Sequence, residues 1–367
     1  MTATNKKTGN ITMSQISKAA GVSPSAVSAL LNDRDYGIRI SEKTRNRIME
    51  ACRELNYRPK NPATLARIYP AMGDICFLIN SGVPGGAQHQ YFGQMLSGAI
   101  ASLSDPTAHI AYSLFDPQID YLKQPESLPQ SLRSGNVTKI IAASTPNTSL
   151  VQAILKRNLP FVYIGHHMDE AGLCSIVPDY AEATRQSVKY LNSLGHTRIA
   201  YLTGPFGNST YNLLELQRGF VEGLRDCELP VSPQYIYHCD FDQGNFGQEQ
   251  LIEATEHLIS QKQRPTAIMC FHDTAATVVS SYLQSKGLKI PQDISIMGCN
   301  DEPAASTHHP ALTTVHFPLA EMGAQAVKEL ENQILFGRPD KPVNIKLPVN
   351  IVERQSCGPC PELAGVL

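Results

Sequence analysis

Apolar residues near the start of the chain recur at helical spacing. Met13 to Ala20 has helix-forming composition, with Ile16, Ala19 and Ala20 placed to form one apolar face. Gly21-Val22-Ser23 then interrupts the pattern. Gly21 suits the positive φ that reverses a chain after a short helix. Ser23 is a natural cap for the next helix, and Pro24 suits its first turn, where a missing N–H costs nothing. In that second helix Val27, Leu30 and Leu31 fall on one side and leave Pro24, Ser25, Ser28 and Ala29 outside. A third helix is predicted from the cap Ser41 through Ile48, Cys52 and Leu55 to Asn56. Two short helices joined by a tight turn, the second presenting small polar side chains, have the shape of a helix-turn-helix that enters the DNA major groove.

From Met72 onward the period changes. Short apolar runs alternate with helical stretches, the pattern of parallel α/β units. Asp74–Ile79 reads as a strand, followed by a helix whose apolar side is predicted to carry Phe92, Leu96, Ile100 and Leu103. His109–Leu114, Lys139–Ala142 and Phe161–Ile164 continue the series, and Ile199–Leu202, Tyr235–His238, Ala267–Cys270 and Ile294–Met297 form a second one. The predicted class is α/β: a three-helix head, then two doubly wound lobes with parallel sheets. Open sheets of this kind bind ligands beyond their strand C-termini, so the cleft between lobes is the expected effector site.

Charge sharpens the picture. Residues 1–67 hold twelve Lys/Arg against five Asp/Glu, a net of +7, while the remainder holds 19 against 28, a net of −9. A basic head on an acidic body implies that only the head meets a polyanion. The polar N-terminus lacks a signal-peptide core, and no apolar run nears the ~18 residues that span a bilayer, so a cytoplasmic protein without membrane contact is expected. Nine dispersed cysteines read as small core residues rather than a disulfide framework. Cys357-Gly-Pro-Cys360 has the letters of a redox motif but sits in a C-terminal tail, without the strand-to-helix setting that lowers a thiol pKa.

Enzyme chemistry lacks its motifs: there is no G-x-G-x-x-G, Walker A or H-E-x-x-H. Gly207-Asn-Ser209-Thr-Tyr211 begins like a nucleophile elbow and ends without its glycine. The pairs His166-His167 and His308-His309 lack a flanking ligand set. No enzymatic activity, metal or cofactor is expected.

The head residues Ile11-Thr12-Met13, Ala20-Gly21-Val22-Ser23, Val27-Ser28, Leu31-Asn32, Ser41-x-x-Thr44-Arg45 and Leu55-Asn56-Tyr57-Arg58-Pro59 together resemble the lactose/galactose repressor (LacI/GalR) family. The resemblance implies phosphate contacts by Thr12, Ser23, Asn32, Thr44 and Tyr57, and base contacts by Pro24, Ser25 and Ala29, with Ser28 on the same face. For each of these the competing role is capping or packing. Ala29 stands where the family often has arginine; it offers a methyl contact to thymine in place of a bidentate grip on guanine. The helix 2–3 connection, Asp33 to Arg39, is longer than usual, and Arg34 and Arg39 are candidates for extra backbone or groove contact. Lys60 to Arg67 occupies the place of the family's DNA-ordered hinge helix. Leu65 is the candidate minor-groove wedge, one residue earlier than the family spacing, and an ordinary linker is the alternative.

The resemblance continues through Leu194-Gly195-His196-x-Arg198, Arg264-Pro265-Thr266, Pro291-x-Asp293-Ile294-Ser295, Gly298-Cys299-Asn300-Asp301 and Leu312-Thr313-Thr314-Val315. It implies a two-lobed sensor similar to type I periplasmic sugar-binding proteins. The implied boundaries are a head at 10–59, a hinge at 60–71, a sensor at 72–357 and a tail at 358–367. Within the sensor, lobe 1 takes about 72–165 plus 316–338, and lobe 2 about 166–315 plus 339–357. Carried over singly, the effector positions are Tyr91, Phe92, His166, Asp179, His272, Asp273 and Asn300. Leu216 replaces an effector-gripping arginine, and a simple hexose is therefore in doubt. The expected partners are an operator duplex, a small-molecule effector, carbohydrate-like or a related metabolite, and a second copy of the chain in a dimer or an oligomer built on one. The expected function is ligand-responsive regulation, by repression as the family default. The alternative is a solute sensor whose DNA head no longer works.

Overall fold

Each helix of the head starts and stops where side-chain chemistry dictates. In the computed structural model, which describes residues 11–32, 40–55, 57, 59, 61, 64, 68, 74–83, 85–103, 108–133, 137–204, 211–239 and 247–362, α1 spans Met13–Ala20, α2 Pro24–Asn32 and α3 Glu42–Glu54. Thr12 and Gln15 form a capping box at α1: Thr12 Oγ1 accepts from the Gln15 N–H at 3.3 Å and Gln15 Oε1 accepts from the Thr12 N–H at 2.8 Å. Gly21 ends α1 at φ 62°, and the Val22 N–H bonds back to the Ser17 carbonyl at 3.0 Å. Ser23 Oγ then accepts from the Ala26 N–H at 3.2 Å, opening α2. The core joins Ile16, Ala20, Val27, Leu30, Leu31, Ile48 and Cys52. Ala19 is exposed and Ser17 takes its expected place inside, its hydroxyl donating to the Ser14 carbonyl at 2.9 Å.

Two six-stranded sheets make the body. The first lobe contains β1 (Asp74–Asn80), α4 (Gln90–Ala101), β2 (Ile110–Phe115), α5 (Gln130–Arg133), β3 (Val137–Ala143), α6 (Thr148–Leu155), β4 (Phe161–Ile164) and β5 (Cys174–Pro178). The second contains α7 (Tyr180–Ser193), β6 (Ile199–Thr203), α8 (Tyr211–Asp226), β7 (Ile236–His238), α9 (Gln248–Ser260), β8 (Ala267–Cys270), α10 (Asp273–Ser285), β9 (Ser295–Asn300), α11 (Pro303–Thr307) and β10 (Thr313–His316). The chain then returns through α12 (Leu319–Phe336) and β11 (Val343–Leu347) to lobe 1, and crosses again to β12 (Asn350–Val352). The sheet orders are β11-β5-β4-β3-β1-β2, all parallel, and β12-β10-β9-β8-β6-β7, with β12 antiparallel.

This topology corrects the lobe boundaries implied by resemblance. Cys174–Pro178 pairs with Phe161–Ile164, and Val343–Leu347 pairs in turn with Cys174–Pro178, so both strands belong to lobe 1. The crossings fall at Pro178–Asp179, His316–Leu319 and Leu347–Asn350. The tail is corrected too. The Cys360 N–H donates to the Leu194 carbonyl at 2.8 Å, so the segment through Glu362 is laced into lobe 2. His196, fully buried, holds it from beneath: Nδ1 meets Thr266 Oγ1 at 2.9 Å, and Nε2 meets Ser295 Oγ at 3.0 Å and the Gly358 carbonyl at 3.1 Å. Burial pushes the Cys357 thiol up to about 12, and its Sγ donates to the Ile296 carbonyl at 3.2 Å, the setting of a packed thiol rather than a redox nucleophile.

Helix α4 packs on α12 with small residues at the contact. Its buried stripe is Met95, Gly98 and Ala99, while Ile100, expected inside, is 52% exposed. A Cβ on Gly98 would sit 1.9 Å from the Ala320 carbonyl oxygen. We expect Gly98→Val to cost about 3 kcal/mol or more, because backbone rather than a movable side chain blocks the space; urea unfolding of lobe 1 measures it, and an unchanged midpoint would contradict the packing.

Candidate DNA-recognition head and effector cleft

The face of α2 turned away from the head core is uncharged. Ser23, Pro24, Ser25 and Asn32 are exposed and Ser28 and Ala29 are half-buried, while Ala26, Val27, Leu30 and Leu31 are inside. Hydroxyls on this face hold one another: Ser23 Oγ lies 2.9 Å from Ser25 Oγ, and Asn32 Nδ2 donates to Ser28 Oγ at 3.1 Å. Such mutual bonds restrict the rotamers available on this face. Thr12 is exposed beside its capping box, and Thr44 Oγ1 lies 2.9 Å from the Ser41 cap hydroxyl. Thr12 therefore caps as well as faces outward, whereas Thr44 is half-buried and its N–H donates to the Ser41 cap at 3.3 Å. Tyr57 packs against the head core, its N–H bonded to the Cys52 carbonyl at 2.9 Å. Arg34, Arg39 and Leu65 lie outside the described residues.

Two residues of the expected hinge are tied to the head. Thr64 is 4% exposed and its hydroxyl donates to the Leu31 carbonyl at 2.8 Å, satisfying a group at the C-terminal end of α2; Ile68 joins the head core. Sequence reading missed both, because it weighed this stretch only as a DNA-ordered helix or an ordinary linker.

In the body, the C-terminal ends of the first-lobe strands open onto a cavity of about 140 Å3 lined by Tyr91, Phe92, Ser144, Thr145, His166 and Asn212, among others. Ser144 and Thr145 directly follow β3 and were readable from the strand-end rule; they were not singled out. Asn212, on α8, brings the second lobe to the same space. Tyr91 and Phe92 meet edge to face at 5.2 Å, and Tyr91 Oη lies 3.1 Å from Tyr180 Oη, whose hydroxyl donates to the Gly165 carbonyl at 2.9 Å. Across the lobes His167 stacks on Tyr211 at 4.5 Å.

Of the seven effector positions, Tyr91, Phe92 and His166 converge on this cavity, and the other four do not line it. Asp179 caps α7, accepting from the Glu182 N–H at 3.4 Å, and lies 3.5 Å from Lys346 Nζ. His272 caps α10, its Nδ1 accepting from the Ala275 N–H at 2.8 Å; burial pushes its pKa down to about 4. Asn300 Nδ2 donates to Glu302 Oε1 at 3.3 Å. Asp273 has turned inward: it is fully buried, with Thr314 Oγ1 donating to Oδ1 at 2.6 Å and the Glu302 N–H to Oδ2 at 2.7 Å. An effector role for Asp273 is therefore corrected to a structural one. Leu216, in the place of the missing arginine, is 3% exposed and belongs to the core.

His166 differs from these. It is 8% exposed, and neither ring nitrogen meets a hydrogen-bond partner. Burial lowers its pKa, with a weaker opposing pull from the backbone of His167. Among the described residues no group of three or more His, Cys, Asp or Glu is placed to hold a metal, and no helix is long and apolar enough to cross a membrane.

A capped helix-turn-helix joined to two doubly wound lobes defines a DNA-binding regulator with a periplasmic-binding-protein-like sensor. Residues 12–60 match the family of bacterial regulatory proteins described as lacI family, and residues 188–357 match the periplasmic binding protein-like domain. The chain belongs to the LacI family and is a ligand-responsive transcriptional regulator of that family. It is 26% identical over 321 residues to the probable HTH-type transcriptional repressor ExuR of Bacillus subtilis (strain 168), covering 87% of this chain and 90% of the relative. It is 27% identical over 353 residues to the HTH-type transcriptional repressor PurR of Vibrio cholerae serotype O1 (strain M66-2), covering 94% and 97%. The fold matches the lac repressor dimer bound to operator and the anti-inducer ONPF with a TM-score of 0.63 at 22% identity, covering 95% of this chain and 100% of that one.

Proposed function

We propose that this regulator represses transcription by seating the heads of a dimer on a near-palindromic operator, with DNA affinity set by a small molecule bound between the lobes. The observation that carries the reading is the two-sidedness of α2: Val27, Leu30 and Leu31 are sealed inside the head while Pro24, Ser25, Ser28 and Ala29 face outward or partly so. One such head offers too few side chains to specify a long site, so two are needed, each reading one half-site. Thr12, Ser23, Asn32, Thr44 and Tyr57 then position the head on phosphates, and Pro24, Ser25, Ser28 and Ala29 meet base edges. Ligand binding favours one relative orientation of the lobes and so shifts the spacing of the heads by differential affinity for two states.

The first test is an electrophoretic shift of genomic fragments by the full chain, with and without metabolite pools. The expected result is salt-sensitive retention of a few fragments that ligand either strengthens or releases. Absence of any sequence-preferring retention would overturn the reading. Base specificity gives a second expected outcome. α2 carries no cation, so its half-site is expected to favour thymine opposite Ala29, and Ala29→Arg to move that preference to guanine by about 1–3 kcal/mol, read by selection from a randomised duplex pool. An unchanged selected sequence would remove Ala29 from the base contacts.

A further inference from the structure

One turn of α8 is gripped from lobe 1 at two points. Tyr211 and Glu215 are four residues apart and so lie on one side of that helix. The His167 ring, from the loop after β4, stacks on the Tyr211 ring at 4.5 Å with 18° between their planes. Lys346, on the edge strand β11, brings Nζ to 3.9 Å from Glu215 Oε2. The two residues of α8 are also joined to each other, because Tyr211 hydrogen-bonds the Glu215 carboxylate. Burial, followed by the charge of Glu215, pushes the Tyr211 hydroxyl up to about 12, so it keeps its proton and donates.

Several polar contacts around this turn lie within one lobe and survive any rotation of the other. Arg218, on α8 itself, donates Nε to Glu215 Oε1 at 2.9 Å and Nη2 to Oε2 at 2.7 Å, and it is the main cause holding the Glu215 carboxyl below its ordinary value. His167 Nε2 meets Asp169 Oδ1 at 2.9 Å within the same loop of lobe 1. Asp179, at the first crossing, stays with Lys346: its N–H donates to the Leu347 carbonyl at 3.0 Å, and its Oδ1 lies 3.5 Å from Nζ. The His167–Tyr211 stack and the Lys346–Glu215 pair are different. Each joins one lobe to the other, and both lengthen when the lobes turn about the crossings at Pro178–Asp179, His316–Leu319 and Leu347–Asn350. Lys346 is thus shared between a carboxylate tied to its own strand and one that leaves with α8.

We propose that His167, Tyr211, Glu215 and Lys346 form an interlobe clasp that favours the lobe orientation seen here before any ligand binds, and so sets the ligand-free level of operator binding. The clasp rests on the sensor reading above for its effect on DNA and on the contacts alone for its existence. Its strength is moderate. An aromatic stack shifts an equilibrium by about twofold to tenfold, and a partly exposed ion pair adds about fivefold at most, less in salt. Against them, His167 Nδ1 is buried without a partner in this orientation. That cost is relieved when the lobes part and water reaches the nitrogen. A clasp of this size biases the ligand-free protein without locking it, because a ligand with a stronger preference between the two orientations overrides it.

The chain contains no tryptophan, so Tyr211→Trp keeps an aromatic ring in the stack and gives the full-length protein a single indole there. Acrylamide quenching of that indole reads how far the lobes have parted. Adding Lys346→Met is the informative step, because Lys346 acts through Glu215 rather than on the ring. The expected result is an accessibility about twofold or more higher with Lys346→Met, and a rise with added NaCl that requires Lys346. Lys189→Met is the control: it removes a lysine paired at 2.8 Å with Asp226 inside lobe 2, and should change neither. With Tyr211 retained, Lys346→Met and His167→Ala should move the affinity for a retained genomic fragment in one common direction, by about twofold to tenfold beyond Lys189→Met. Equal indole accessibility with and without Lys346, at low and high salt, overturns the clasp, and so do opposite shifts in DNA affinity. If accessibility rises while DNA affinity matches Lys189→Met, the lobe contact stands and its control of the heads falls. If no fragment is retained by any variant, the operator reading falls, and the indole measurement still decides the clasp.

Discussion

Leu31→Asp is expected to abolish operator binding while leaving the two-lobed body folded and able to bind its ligand. Leu31 is 1% exposed, belongs to the head core with Ile16 and Ile48, and lends its carbonyl to the Thr64 hydroxyl. A carboxylate there has no buried partner, and an uncompensated buried charge costs at least ~3 kcal/mol. A domain of only about 60 residues buries too little surface to absorb that loss. The head should therefore unfold, and the affinity for operator should fall by about 100-fold or more, toward the weak non-specific level. Two controls make the outcome informative. Leu31→Met keeps volume and polarity and should cost less than ~1.5 kcal/mol, with operator binding retained. The ligand-binding heat of Leu31→Asp should match the unaltered protein, because nothing in the cleft depends on the head core. Retained operator affinity in Leu31→Asp would mean that α2 does not bury this side, and the orientation of its outward face would be wrong.

How much of this was legible in the sequence depended on whether the deciding contact was local. The head was readable because its determinants sit within a few residues of one another: Thr12 with Gln15, Gly21 after Ala20, Ser23 before Pro24. Strands β1, β3, β4, β6 and β8 were readable as apolar runs because parallel strands buried on both faces lose their alternation. Strand β11 escaped because Val343–Leu347 is an exposed edge strand, and its membership in lobe 1 is set by pairing with a segment far away in sequence. The buried side of α4 was misassigned for a related reason. Period alone favoured large apolar residues such as Ile100, but the close approach of α12 selects Gly98.

The site shows the same division. Tyr91, Phe92 and His166 were carried over from the resembled family, and they sit at a helix start or after a strand, positions the fold fixes. Ser144 and Thr145 obey the same rule and lacked only a distinctive residue type to draw notice. Asp273 was placed in the pocket by carrying over a position from the resembled family, yet Thr314, distant in the chain, draws it inside. No local pattern distinguishes an inward from an outward carboxylate at that position; a hydroxyl on the neighbouring helix-facing side of β10 makes the difference.

Asp273 itself gives the largest expected pH effect in lobe 2. Burial pushes its carboxyl up from 3.8 to about 7, against the lowering by the hydrogen bonds from Thr314 and Glu302 and with the nearby charges of Glu302 and Asp301 adding to the rise. A carboxyl whose pKa is raised by folding stabilises the fold fully below the unfolded value, and that stability is lost as pH rises from about 4 through about 7. The shift of about three units corresponds to on the order of 4 kcal/mol across that window. His272 and His196 act oppositely. Burial lowers both, so the fold loses their contribution as pH drops below the ordinary imidazole value of 6.5. The Asp273 part is isolated by comparison with Asp273→Asn. That amide can accept from the Glu302 N–H and donate to Thr314, whose hydroxyl rotates to accept, so folding should survive with no titration at this position. Subtracting its urea-unfolding free energy from that of the unaltered protein should give a difference that declines with rising pH and flattens above about 8. Asp273→Ala strands both donors and opens a void where Gly298 has already cleared space for the carboxylate, and should cost about 3 kcal/mol or more at pH 4, a cost that shrinks with rising pH in parallel with the Asp273→Asn difference. A pH-independent difference for Asp273→Asn would show that the carboxylate stays ionised throughout, with its two donors outweighing the burial that opposes its charge.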